Sequence, residues 1–208
     1  MIKNILTIIA FFVSTIAVAQ YNPEAKKYLD EVAAAVKTEQ GLTISFDAKV
    51  THIQDNEELS TTSGVMLLKD NFYKLSIGGT DTYSDGVNQW IHMLEEKEVT
   101  IQPIEEGEIT PASIFTIYKE GYRFRILKED SENVMIELSP DDRDASEYIR
   151  VTLYINKKES KIDAFAAQSK SGHITNIVVT SWQDEIADKD AIVFNLNKHT
   201  DVDVIDLR

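Results

Sequence analysis

The chain has 208 residues, 43% hydrophobic and 27% charged, the make-up of an ordinary globular domain. Lys and Arg number 21 against 35 Asp and Glu, and the formal charge of -14 repels nucleic acid. With no Cys, thiol nucleophiles, disulfides, thiolate zinc sites and iron–sulfur clusters are excluded.

The first segment reads as an export leader. Lys3 is followed by an apolar run from Ile5 to Val18, and Ala17-Val18-Ala19 places small residues where a signal peptidase reads, so cleavage is expected after Ala19. The run is shorter than the roughly 20 residues that cross a bilayer, and no later run is longer, so the mature chain is expected not to be membrane-embedded. Residues 20–208 are expected to form one exported domain. Removing the leader takes away Lys3 and no acid, which leaves a net charge of about -15. No Cys stands near the expected cleavage site, so the mature chain is not expected to be acylated as a bacterial lipoprotein would be.

Asn22 before Pro23 is a helix start, a capping side chain followed by a residue whose missing N–H costs nothing in the first turn. The spacing of Ala25, Tyr28, Leu29, Val32 and Val36 predicts a helix over 23–39 with one apolar stripe, ended by Gly41. The period then changes. Leu42, Ile44, Phe46, Ala48 and Val50 alternate with polar residues, the pattern of a strand with one buried face. Further strands are predicted over 59–69, 72–77, 80–83, 87–93, 98–103, 122–128, 133–138, 147–156, 161–169 and 173–182, about eleven in all. Their links are short and rich in turn formers, as in Gly78-Gly79, Ser84-Asp85-Gly86 and Ser171-Gly172, which favours antiparallel neighbours. The expected fold is mainly β with flanking α: one curved antiparallel sheet.

One segment breaks the succession. Thr110 can cap, Pro111 suits a first helical position, and Ile114, Phe115, Ile117 and Tyr118 follow before Gly121, which predicts a short inserted helix. Such a helix is either ordinary core or a movable cover over a cavity.

Chemistry-bearing patterns are few. His52, His92, His173 and His199 lack the spacing that puts two imidazoles on one metal, and no phosphate loop or Gly-x-Ser-x-Gly context occurs. Asp141-Asp142-Arg143-Asp144 lacks the distal Glu of a calcium loop and reads as a solvated turn. Two carboxylates distant in sequence could still meet as a hydrolase pair, and nothing in the chain points to one.

Several stretches, in order, resemble a known family. Gly64-Val65-Met66-Leu67-Leu68-Lys69, Phe72-Tyr73-Lys74-Leu75, Ser84-Asp85-Gly86-Val87-Asn88-Gln89-Trp90 and Val99-Thr100-Ile101 precede the Pro111 segment. This succession, with the leading helix and the ending Asp201-Val202-Asp203-Val204-Ile205-Asp206, is similar to the LolA-type periplasmic outer-membrane lipoprotein carriers from about 24 to 206. The resemblance implies an open half-barrel of about eleven strands enclosing an apolar cavity, closed by the N-terminal helix and a lid. It implies a periplasmic monomer without cofactor, acylated lipoproteins as cargo, an inner-membrane transporter that releases them and an outer-membrane acceptor. The candidate cavity residues are Phe46, Val50, Met66, Leu68, Phe72 and Trp90, with Ile114, Phe115, Ile117 and Tyr118 on the lid. Sealed core is the alternative for each, because alternation gives two faces and does not say which one borders a void. The chain departs from the family at Lys69-Asp70-Asn71, where many members carry a basic residue followed by Pro. Lys69 is thus an approximate latch for the lid, lacking the planar donor fork of Arg. A sensor that binds lipid or a protein partner on the same half-barrel is the competing expectation, and an exported hydrolase the remoter one.

Overall fold

The computed structural model describes residues 22–36, 40–105, 108–186 and 189–208; the expected leader and cleavage site lie outside the described residues. Helix α1 spans Pro23–Ala35. Asn22 Oδ1 accepts the backbone N–H groups of Glu24 and Ala25 at 2.9 and 3.0 Å, satisfying two of the donors a helix start leaves unpaired. Ala25, Leu29 and Val32 are its buried stripe. The helix stops before the expected Glu39, which lies outside the described residues. Val36, β-branched, takes extended backbone at φ -76° and ψ 105°, its N–H still on the Val32 carbonyl.

Among the described residues, twelve strands follow where the sequence predicted about eleven: β1 (Leu42–His52), β2 (Glu58–Lys69), β3 (Phe72–Ile77), β4 (Thr80–Ser84), β5 (Asn88–Met93), β6 (Glu98–Pro103), β7 (Tyr122–Glu129), β8 (Asn133–Pro140), β9 (Tyr148–Asn156), β10 (Lys161–Ser169), β11 (His173–Gln183) and β12 (Asp203–Asp206). They form one curved, unclosed sheet in the order β12-β6-β5-β4-β3-β2-β1-β11-β10-β9-β8-β7. Two antiparallel meanders, β1 to β6 and β7 to β11, join where β1 pairs with β11. The added strand is β12, in the tail that the sequence marked only by resemblance. It runs parallel to β6, because the chain reaches that edge by a long crossing and not a hairpin.

The segment over 110–118 is not the regular helix expected. It is a run of turns ending in a 3-10 turn at Ile117–Lys119. Its hydrogen bonds mix two spacings: Ile114 and Ile117 bond four residues back, while Thr116 and Lys119 bond three back. β-branched Ile114, Thr116 and Ile117 are weak helix formers, and so short a segment does not repay the cost of a helical nucleus. The predicted cap does form. Thr110 Oγ1 accepts the Ser113 N–H at 3.2 Å and Ser113 Oγ accepts the Thr110 N–H at 2.9 Å, a reciprocal pair that makes the segment's start rigid.

The main core lies on the inner face. Its rungs can be followed across the ladders: Leu75, Met66, Ile44 and Trp182; then Ala48, Ile177, Phe165, Leu153 and Ile136. α1 packs on this face beside β7 and β10. On the outer face of β3 to β5 the chain after β11 makes a second, smaller core. Phe194 stacks on His199 at 5.1 Å between ring centres and meets Tyr83 at 5.3 Å and Trp90 at 6.2 Å. His92 is buried against His199, and burial, then that neighbour, hold its imidazole below the ordinary range.

This outer core fastens the crossing that delivers β12. Phe194→Ala is expected to destabilise the protein by about 2 kcal/mol, the burial of one partly covered aromatic. Amide exchange at Asp203 and Leu207, whose N–H groups bond β6 carbonyl groups or the Lys97 carbonyl just before it, should rise more than exchange in β8 to β10.

Candidate functional site

A cavity of about 300 Å³ lies on the inner face between β1, β2, β3, β9, β10, β11 and the 109–115 segment. Phe46 and Met66 line it from β1 and β2, and Ile114 and Phe115 border it from the covering segment. The ring of Phe115 meets Trp182 edge to face at 5.9 Å, joining the covering segment to β11. No Asp, Glu, Lys, Arg or His lines the cavity among the described residues, and its polar groups are Thr110, Thr175, Tyr148 and the Trp182 indole. Two of these are turned to protein partners: Thr110 Oγ1 holds the Ser113 N–H, and Trp182 Nε1 donates to Asp184 at 2.9 Å. Burial raises the Tyr148 hydroxyl, with Glu147 and Glu108 adding to the effect, so it stays neutral. Such a wall offers dispersion and exclusion of water, and its atoms have unfilled contacts on the cavity side. It holds no carboxylate pair, and no group of three or more His, Asp or Glu able to hold a metal occurs among the described residues.

The sequence-predicted residues divide by position. Phe46, Met66, Ile114 and Phe115 meet at the cavity. Leu68 faces the same side but is fully buried on the rung of Leu42 and Tyr73, away from the void. Val50 is half-buried on the Thr175 rung and does not line the cavity. The β1–β2 register shifts next to it, so Thr51 takes the buried place that strict alternation denied it. Phe72, Trp90 and Lys69 stand on the outer face. Lys69 and Phe72 pair across β2 and β3, Phe72 is 41% exposed, and Trp90 packs under Phe194. The reason is parity: Leu75 and Ile77, not Phe72, are the β3 residues on the cavity side. Lys69, the expected latch, therefore stands on the face away from the covering segment. Ile117 packs against the core beside the cavity, and Tyr118, 4% exposed, turns its hydroxyl to α1.

More than half of the wall went unpredicted. Tyr148, Val151, Ile162, Phe165, Ala167, Thr175, Ile177, Val179 and Trp182 come from β9, β10 and β11. The two-residue steps of Phe165 and Ala167, and of Thr175, Ile177 and Val179, are the signal that could have found them.

Solved structures of distant sequence are similar to this chain. An uncharacterized conserved protein from Thermus thermophilus is 10% identical, with a TM-score of 0.58 over 88% of this chain and 99% of that one. A LolA superfamily protein from Nitrosomonas europaea is 12% identical, with a TM-score of 0.46 over 82% and 97%. A chain of the MucA/MucB complex from Pseudomonas aeruginosa is 11% identical, with a TM-score of 0.41 over 83% and 62%. At 10% identity the likeness to the Thermus thermophilus protein is one of fold. No curated protein matches the sequence. The family model described as outer membrane lipoprotein carrier protein LolA matches residues 13–167, from the apolar N-terminal run into β10 as far as Ala167. The chain belongs to the LolA family of outer membrane lipoprotein carrier proteins.

Proposed function

We propose that the protein is a periplasmic carrier that takes the acyl chains of lipoproteins into its apolar cavity and ferries them from the inner to the outer membrane. The observation that carries this reading is the 300 Å³ cavity with no charged side chain on its wall, under a covering segment. Each buried methylene contributes about 0.8 kcal/mol, so a sixteen-carbon tail represents on the order of 12 kcal/mol and does not cross water unaided. Phe115 and Ile114 already occupy the mouth, so an entering chain exchanges one apolar partner for another and net affinity stays modest enough for release. A net charge of -14 repels anionic lipid headgroups, which supports loading and delivery through a transporter and an acceptor protein.

The test is transfer of a palmitoylated lipoprotein between two membrane preparations separated by buffer. Transfer that depends on this protein is expected. Binding of the lipoprotein without delivery would favour a sensor of the same fold, and no binding would defeat both readings.

A further inference from the structure

The covering segment is tied down at both ends by side chains outside the cavity wall. At its start, Gln89 of β5, 4% exposed, donates from Nε2 to Glu108 Oε1 at 2.6 Å. The second oxygen of Glu108 accepts the Glu105 N–H at 3.3 Å. At its end the buried Tyr118 donates its hydroxyl to Asp30 Oδ1 at 2.7 Å, across to α1. Asp30 is held in place by Lys26 one turn earlier, which takes the other oxygen at 2.6 Å. The Tyr118 ring is packed edge to face on Phe124 at 6.1 Å, so its hydroxyl reaches α1 from a fixed base.

We infer that Tyr118 with Asp30 and Gln89 with Glu108 are two clasps that hold the covering segment over the cavity, and that α1 is thereby the keeper of the lid. The inference rests on the carrier reading for its purpose, though not for its geometry. Between the clasps lies a body stiffened by the Thr110–Ser113 pair, which carries Ile114 and Phe115. Beyond them Gly121, at φ 74°, makes the left-handed turn into β7, its carbonyl accepting the Asp141 N–H at 2.8 Å. The apolar stripe of α1 does not use Asp30, which is exposed on the helix and free to serve the lid. Both clasps end on carboxylates, and each is a bond to a charged acceptor, the stronger kind. Asp30 is held below the ordinary carboxylate range by Lys26 first and Tyr118 second. The Tyr118 hydroxyl is raised by burial and then by Asp30, so each partner keeps the other in its bonding form.

The experiment compares the wild type with Tyr118→Phe, Asp30→Ala, their double variant and Gln89→Leu. Its first readout is amide exchange without ligand. The Ile114, Thr116, Ile117 and Lys119 amides should exchange about tenfold faster in Tyr118→Phe and in Gln89→Leu, with β9 and β10 unchanged. Asp30→Ala, which also loses the Lys26 bond, should be at least as fast as Tyr118→Phe, and the double variant should be no faster than Asp30→Ala, because the lid loses the same bond in each. Its second readout is the association rate of dansyl-undecanoic acid, expected to rise by a similar factor. Unchanged lid exchange would overturn the clasps, as would faster exchange spread over the whole sheet, the mark of a merely structural role. Faster lid exchange with no probe uptake by any form would leave the clasps standing and remove the carrier reading.

Discussion

Ala167→Trp is expected to weaken binding of a fluorescent fatty acid about a hundredfold while leaving the unfolding temperature unchanged or higher. Ala167 of β10 lies on the cavity wall between Thr175 and Val151, 8% exposed, with void beyond its methyl group. An indole built there occupies space that an acyl chain would use. If three or four methylenes are displaced, at about 0.8 kcal/mol each, the loss is about 3 kcal/mol, or two orders of magnitude in affinity. Stability decides between the two ways of reading the inner face. In a filled core the same substitution overpacks and is destabilising by about 1–3 kcal/mol. In a void it supplies contacts that the wall lacks, and stability holds or rises. A fall of several degrees in thermal unfolding, with probe binding intact, would mean that the face is sealed and the ligand sits elsewhere.

The order of strands was legible because backbone period and turn chemistry are local. Gly78-Gly79 and Ser171-Gly172 supply left-handed residues at tight links, and the strands either side of them fall where alternation placed them. What local pattern leaves open is the sign of each face. Trp90 and Phe72 look like cavity residues by size, yet each is an odd step from an inner-facing neighbour. Trp90 shares its rung with Tyr83, and both turn to Phe194, a contact made by a segment more than 100 residues away. The covering segment shows the opposite case. Its cap was readable from Thr110 and Pro111, while its helix failed because β-branched residues and short length outweigh a good start. The anchors Asp30 and Gln89 carried no signal in sequence at all, since a charged residue on an exposed helix face and an amide in a strand are ordinary until a distant partner is placed beside them.

Gly64→Ala is expected to destabilise the protein by about 1–3 kcal/mol and to lower acyl affinity with it, and Phe46→Leu is expected to restore much of the stability. The glycine at this point of β2 is set by close approach, not by turn geometry. The Phe46 ring of β1 lies across its cross-strand partner, so a Cβ on residue 64 would stand 2.8 Å from Phe46 Cε2 and closer still to Cζ. It would also stand 3.0 Å from the Ser76 carbonyl oxygen, which belongs to the backbone and does not yield cheaply. The ring is the part able to move, and the open direction is the cavity that it already lines. One methyl group on β2 thus pushes an aromatic ring further into the cavity. Shortening Phe46 to Leu removes the atoms that collide, so the two substitutions should couple by about 1 kcal/mol or more in a double-mutant cycle of chemical unfolding. Additive effects would show that the ring has another place to go, and that the missing side chain at residue 64 does not shape the cavity floor.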